Sequence, residues 1–417
     1  MAVEVKVFQF NGCNKCFNES ILLKLDSEDN VEYIDDPKGW KATKTDIAVI
    51  TGYLLPEDGK TLEKIAKKSG KVIGYGDCAT YGGVYALANQ NGHKIAPLKE
   101  YISDSAYVNG CLGEIMALNE EIKGNPPLKL KGLCTTCKRK STCDYMEAVH
   151  RQIEIEESDV CFNDLGYQCN GFVAQECKER CIDFNALCRG CKPMVNRSGI
   201  RFLGMFGTLM GNIEVATEHS VKGATDKLAD EEDDITRSLP DVLGNFFRFT
   251  LPTSGLPQGR LPSSGSVLED VFNGRLIEEL PLISGLLCGK RFISLTLMII
   301  EAYEIANKIE ISALTKKIRK NLKKYEQDLG KALDSNDAQG YKEITEKIRS
   351  IAGNMNLSNV FFGGFRSKIK EYDNFEEYKA HPFDVVESAY SHGAVDYKVD
   401  SNGVVSEFKV KKEELFL

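Results

Sequence analysis

Apolar positions along the chain fall into three stretches of different character. Val3 to Phe10 is a β-rich run, and Asp46 to Gly52 (DIAVITG) is almost continuously apolar, as in a strand covered on both faces of a parallel sheet. Lys71 to Gly76 (KVIGYG) predicts a third strand and Tyr107 to Gly110 a fourth, with a helix over Asp58 to Lys68. This alternation predicts an α/β unit over residues 1–125 with a doubly wound sheet. Residues 126–195 have little periodicity and few aliphatic runs, so that stretch needs staples to hold one shape.

From residue 196 to 417 helical spacing returns. Phe202 to Val221 predicts a helix, and Asp226 to Asp234 an acidic solvated face. Ile305, Ile309, Leu314, Ile318, Leu322 and Leu329 recur at helical intervals, and Ile344, Ile348 and Ile351 resume after a turn at Asp334 to Gly340. Together they predict an antiparallel helical hairpin. Leu251 to Ser266 (LPTSGLPQGRLPSSGS) reads as a loop or linker. The closing SHGAVDYKVDSNGVVSEFKV predicts a β-hairpin turning at Ser401-Asn402-Gly403.

Composition changes the picture at one residue type. Across 417 residues, 42% hydrophobic and 27% charged content describe an ordinary globular chain, and a net charge of −8 gives no basic footprint for nucleic acid. The basic run Lys316 to Lys324 reads as a solvated helix face. The five histidines (His93, His150, His219, His381, His392) lie outside any ligand spacing. Cysteine is different, because thirteen of the 14 lie between Cys13 and Cys191, with only Cys288 beyond. The start, MAVEVKVFQF, lacks a signal-peptide pattern. Phe292 to Ile300 is too short for a bilayer span of about 20 apolar residues. A cytoplasmic protein without a membrane span is therefore expected, where dense thiols signal metal or redox centres rather than disulfides.

Cys13 and Cys16 form a CxxC directly after the first strand, Cys78 follows the KVIGYG strand, and Cys111 follows YVNG. The carboxyl ends of strands in a doubly wound sheet share one edge, so three distant segments deliver four thiols to one place. Such a set fits a 4Fe-4S cluster or, less often, a structural zinc. The alternative is that Cys78 and Cys111 are small buried apolar residues. Glycines 12, 76, 82, 83 and 110 flank these positions and permit close backbone approach. In the middle stretch Cys134 and Cys137 form a second CxxC, and Cys188 and Cys191 a third. Cys143, Cys161, Cys169, Cys177 and Cys181 lie between. Two four-thiolate centres would use eight of these nine. Zinc fits the pairs by spacing alone, but three centres in succession make sense as a redox relay.

The motifs CNKC, GDCATYGGV, NGC, CTTC, CFNDLGYQCNG, CKERC and CRGC resemble, over residues 1 to about 205, the small subunit of nickel–iron hydrogenases. The likeness is to the cytoplasmic group that includes the methyl-viologen-reducing and sulfhydrogenase enzymes. It implies three 4Fe-4S clusters. Cys13, Cys16, Cys78 and Cys111 would hold a proximal cluster, and Cys177, Cys181, Cys188 and Cys191 a medial one. Cys134, Cys137, Cys161 and Cys169 would hold a distal one. Cys143 and Cys288 are left over, and Cys143 could take the place of Cys161. The chain departs from the family pattern at Asn14-Lys15, Asn18-Glu19 and Leu112-Gly113, residues expected to face the nickel site. Lys15 would bring a positive charge near the proximal cluster, favouring its reduced state.

The expected fold is α/β: a flavodoxin-like doubly wound domain (1–125), an iron–sulfur cysteine-rich domain (126–195), and a mainly helical C-terminal extension (196–417) that docks a partner or dimerises. The expected function is electron relay between a nickel–iron hydrogenase large subunit and a downstream flavin or iron–sulfur acceptor, within a hetero-oligomer. The hydrogen-activating site would lie in the partner, since this chain lacks the two separated cysteine pairs that resemble nickel ligands. Alternatives are a relay subunit of a related complex without nickel chemistry, or a zinc-stapled scaffold.

Overall fold

A computed structural model describes residues 3–24, 29–128, 131–142, 155, 158–177, 179–192, 241–259, 263, 265–355, 368–371, 374–377, 388–401, 403–411 and 413. Cys143, His150, His219, His381, the helix expected at Phe202 to Val221 and the acidic run Asp226 to Asp234 lie outside them.

Five parallel strands build the N-terminal sheet: β1 (Glu4–Gln9), β2 (Asn30–Ile34), β3 (Thr45–Thr51), β4 (Ser69–Tyr75) and β5 (Ala106–Val108). Their order is β2-β1-β3-β4-β5, the flavodoxin-like arrangement. The three apolar runs are central because a strand flanked on both sides and covered on both faces must be apolar throughout. Val5, Val7, Phe8, Val49, Ile50 and Ile73 are fully buried. β2 sits at the edge and carries Glu32 and the exposed Tyr33, so its polar sequence (NVEYI) hides it from an apolar pattern. Short helices follow the strand ends: α1 (Lys15–Glu19) after β1, α2 (Gly59–Lys68) after β3, α3 (Asp77–Tyr81) after β4 and α4 (Ile115–Ile122) after β5.

Among the described residues the C-terminal half is rich in helix and also carries short strands. A buried helix α5 (Phe292–Ala306) packs beside the expected hairpin of α6 (Ala313–Asp334) and α7 (Ala338–Ala352). Ile305 belongs to the end of α5 and is exposed, so it is not part of the hairpin stripe. In the basic run, Arg319 turns inward and forks onto Glu304 with two contacts of 2.7 Å, while the flanking lysines stay exposed. A ribbon of β6 (Lys368–Glu371) and β7 (Asn374–Glu377) precedes a three-stranded antiparallel sheet. Its strands are β8 (Ser388–His392), β9 (Val395–Val399) and β10 (Val405–Val410). The expected hairpin is its β9–β10 pair. Among the described residues no helix is long and apolar enough to cross a membrane.

One apolar core joins the two halves. It runs from Val84–Ala88 and Leu112 through Cys191 to Phe246, Phe272, α5 and Val395–Val410. The Pro/Gly-rich stretch is no free linker. Leu251 is buried, Gly259 N donates to the Asn89 carbonyl at 2.7 Å, and Pro252 lies against Gly82.

Candidate functional site

The ends of β1, β4 and β5 open on one edge of the sheet, and there Cys13, Cys16, Cys78 and Cys111 come within electrostatic reach of one another. The loops that carry them are fastened to each other. Gly110 N donates to Asp77 Oδ1 at 2.6 Å while Asp77 N donates to the Gly110 carbonyl at 3.0 Å, locking the GDC turn to the NGC turn. Gly76 and Gly83 have φ of +87° and +64°, and the space is as restrictive as the backbone. A Cβ at Gly76 would strike Cys16 Sγ, and one at Gly83 would lie 2.5 Å from Cys78 Sγ. Only glycine lets the chain come this close to the thiols.

Lys15 stands within this CxxC and is buried, not presented to a partner as the sequence suggested. Its ammonium donates to the Gly285 carbonyl and, at 3.2 Å, to that of Met355, and lies 3.6 Å from the Phe292 ring centroid. Glu19 and Leu112 are buried too, with Glu19 accepting from the Tyr341 hydroxyl at 3.0 Å. The exposed part of the loop is Gly12 and Asn14. They border a cleft of about 680 Å³ shared with Cys13, Tyr85, Cys288 and Arg291.

A second set, Cys177, Cys181, Cys188 and Cys191, lines one small internal cavity walled by Leu282, Leu286 and Phe249. Cys111 N donates to the Cys191 carbonyl at 2.7 Å, which places this set directly beside the first. Arg189, inside the CRGC motif, reaches Glu279 at 2.6 Å and Asn245 at 3.0 Å, so the loop is anchored to the C-terminal half. The third set, Cys134, Cys137, Cys161 and Cys169, shares one electrostatic neighbourhood. Cys134 and Cys169 both sit 3.5 Å from where a Cβ at Gly171 would stand. Asn170 N donates to the Cys188 carbonyl at 2.8 Å, tying the third set to the second. Arg139 lies over the Phe162 ring at 3.6 Å, near Cys137, Cys169 and Cys161. Cys134 is exposed, whereas Cys169, Cys188 and Cys191 are buried. The sets therefore stack in the order first, second, third.

Burial drives the thiol titrations. Cys16 is pushed up to about 12 by burial and then by Cys13, and Cys134 to about 11 by burial and then by Cys169. Burial holds Cys78, Cys111, Cys188 and Cys191 well above the usual thiol range. Cys13 also rises by burial, partly offset by Lys15. Such thiols stay protonated until a cation replaces the protons. Backbone N–H groups aim at several sulfurs: those of Gly113 at Cys16, Val84 at Cys78, Glu179 at Cys177, Gly190 at Cys188 and Gly171 at Cys169. Thiol quartets with amide donors and glycine clearances fit iron–sulfur clusters by the chemistry of the donors. Among the described residues no cysteine is in a disulfide, and no three His, Cys, Asp or Glu side chains group tightly enough to share a single metal ion.

Asp77, Arg139 and Asn354, which touch or flank these loops, were not legible as site residues. Asp77 carries a signal in hindsight, since an acid within GDC next to a glycine-bounded turn is suited to accept turn amides.

Comparison with known proteins agrees with the likeness drawn from the cysteine motifs. Residues 9–118 match the family described as NADH ubiquinone oxidoreductase, 20 Kd subunit. The chain is 26% identical over 316 residues to an F420-non-reducing hydrogenase subunit of Methanothermobacter marburgensis, covering 62% of this chain and 97% of that one. It is 21% identical over 327 residues to an F420-non-reducing hydrogenase iron-sulfur subunit of Archaeoglobus profundus, covering 60% and 97%. Among solved structures, the [NiFeSe] hydrogenase of Desulfovibrio vulgaris Hildenborough aligns at 18% identity and a TM-score of 0.33, over 46% of this chain and 93% of that one. The relatives it resembles are named as hydrogenase subunits.

Proposed function

We propose that the chain is the electron-relaying subunit of a cytoplasmic nickel–iron hydrogenase complex. Three 4Fe-4S clusters would be held by Cys13, Cys16, Cys78 and Cys111, by Cys177, Cys181, Cys188 and Cys191, and by Cys134, Cys137, Cys161 and Cys169. Bound there, the clusters would supply one-electron storage and transfer. The observation that carries the reading is the stack itself: three thiol quartets in sequence, with a buried middle and both ends near the surface, one at the 680 Å³ cleft and one at Cys134.

The chain's own residues prepare that path. Leu282, Leu286 and Phe249 give the middle quartet an apolar wall. The backbone links Cys111–Cys191 and Asn170–Cys188 fix neighbouring quartets to each other. Burial pulls the Lys15 ammonium below the usual lysine range; when protonated, it would place positive charge beside the first quartet and favour its more reduced state. A hydrogen-activating large subunit would meet the cleft at Cys13. A flavin or iron–sulfur acceptor would meet the exposed Cys134 end, and reduced thiols suit the cytoplasm.

Anaerobic purification with metal analysis and EPR tests the reading. About twelve irons per chain are expected, four for each cluster. Stoichiometric zinc without iron would overturn it in favour of a scaffold. A co-purifying partner with two CxxC pairs and hydrogen-dependent dye reduction are expected as well. A partner lacking those pairs would point instead to a related complex without nickel chemistry.

A further inference from the structure

The second quartet is completed from a part of the chain far from the cysteine motifs. At the end of α7 the helix stops at Gly353, whose φ is +82°, and the next residue, Asn354, is 2% exposed. Asn354 lines the cavity of the four thiols, and its Nδ2 donates to Cys181 Sγ at 2.8 Å, across 173 residues of sequence. The turn is held from several sides. Arg180 N donates to the Gly353 carbonyl at 2.6 Å, Met355 N donates to Glu179 Oε2 at 3.1 Å, and Arg349 reaches Glu179 at 3.2 Å. A Cβ at Gly353 would lie 2.9 Å from the Phe184 ring, so glycine is required there twice over, by space and by backbone angle. The Met355 carbonyl accepts from Lys15, so the same three residues touch the loops of both the first and second quartets.

From this juxtaposition we infer that Asn354 is a positioning residue for the middle centre. Its amide N–H orients Cys181 and, through that sulfur, raises the centre's reduction potential. A ligating thiolate offers only lone pairs, so the amide must present its N–H to it. Hydrogen bonds to cluster sulfurs stabilise the extra negative charge of the reduced state more than the oxidised state. The C-terminal half thus serves the conducting path itself, beyond covering it. This inference rests on the iron–sulfur reading above.

The test is an EPR-monitored redox titration of the intact complex, with iron content measured alongside. Asn354→Leu keeps about the side chain's size and Asn354→Ala shortens it, both removing the donor, and Met355→Leu alters packing in the same turn while keeping the amide. In both Asn354 variants one of the three cluster signals should shift to lower potential. At a fixed poise its oxidised-to-reduced ratio should rise about fivefold, the weight of one hydrogen bond. The Met355→Leu signals should stay in place. The inference is overturned if both Asn354 variants keep full iron and unshifted signals, or if Met355→Leu shifts the same signal equally. A wild-type chain without iron would instead sink the reading beneath it.

Discussion

At the scale of single residues, the site depends on side chains that are absent as much as on those present. Gly76 leaves the space that Cys16 Sγ fills, at a φ of +87°. If the three proposed clusters are present, Gly76→Ala should cost the first quartet its occupant while the other two remain, so iron should fall from about twelve to about eight per chain. Circular dichroism should show the fold retained. Lys15 gives a second prediction. Lys15→Met leaves the carbonyls of Gly285 and Met355 without their donor and removes a charge from the first quartet. One cluster signal should move to lower potential, and a different one from that moved by the Asn354 variants. The CxxC pairs were readable because their spacing is local. The role of Lys15 was half readable: its charge was visible, but its burial depends on residues 270 and 340 positions away.

Elements are fastened by a few buried charges. Glu326, on α6, accepts from the N–H groups of Ile293 at 2.8 Å and Ser294 at 3.1 Å, serving as a cap for α5 from a neighbouring helix. Glu326→Ala should lower stability by about 1–2 kcal/mol, the range of a lost cap, measured by urea denaturation. Glu279 binds Arg189 and Arg248, joining the CRGC loop to the C-terminal half. Burial alone would raise its carboxyl, but the two guanidiniums reverse this and hold it below its ordinary 4.5. A depressed carboxylate contributes stability above pH 4.5 that is lost as pH falls through its lower folded value. Glu279→Gln should remove that acid-side dependence and destabilise at neutral pH by about 3–5 kcal/mol, as when one partner of a buried pair is lost. Melts across the acid range check both effects. The central strands and the helical hairpin were legible because burial forces an apolar pattern on them. β2 escaped because an edge strand can be polar. β8 escaped because Ser388–His392 alternates too weakly to announce a third strand.

For the molecule as a whole, sequence patterns suggested three successive segments, whereas the apolar core is shared between the first and last. Val84, Leu87 and Leu112 pack in the same cluster as Phe272, Leu297 and Phe408. A chain cut after residue 240 would leave those faces open to water. It should be insoluble or aggregate on size-exclusion chromatography, instead of yielding a stable electron-transfer fragment. Contacts of this separation leave no trace in local periodicity, which is why the boundaries looked cleaner in sequence than in space.

The wall beside the middle quartet is made late in the chain. When synthesis has passed residue 191, the grouped cysteines already exist, but Phe249, Leu282, Leu286 and Asn354, which line their cavity, have yet to be made. If the proposed clusters are held here, the middle one should load more readily during cell-free synthesis than into the finished iron-free chain, which iron uptake measured in both cases would check.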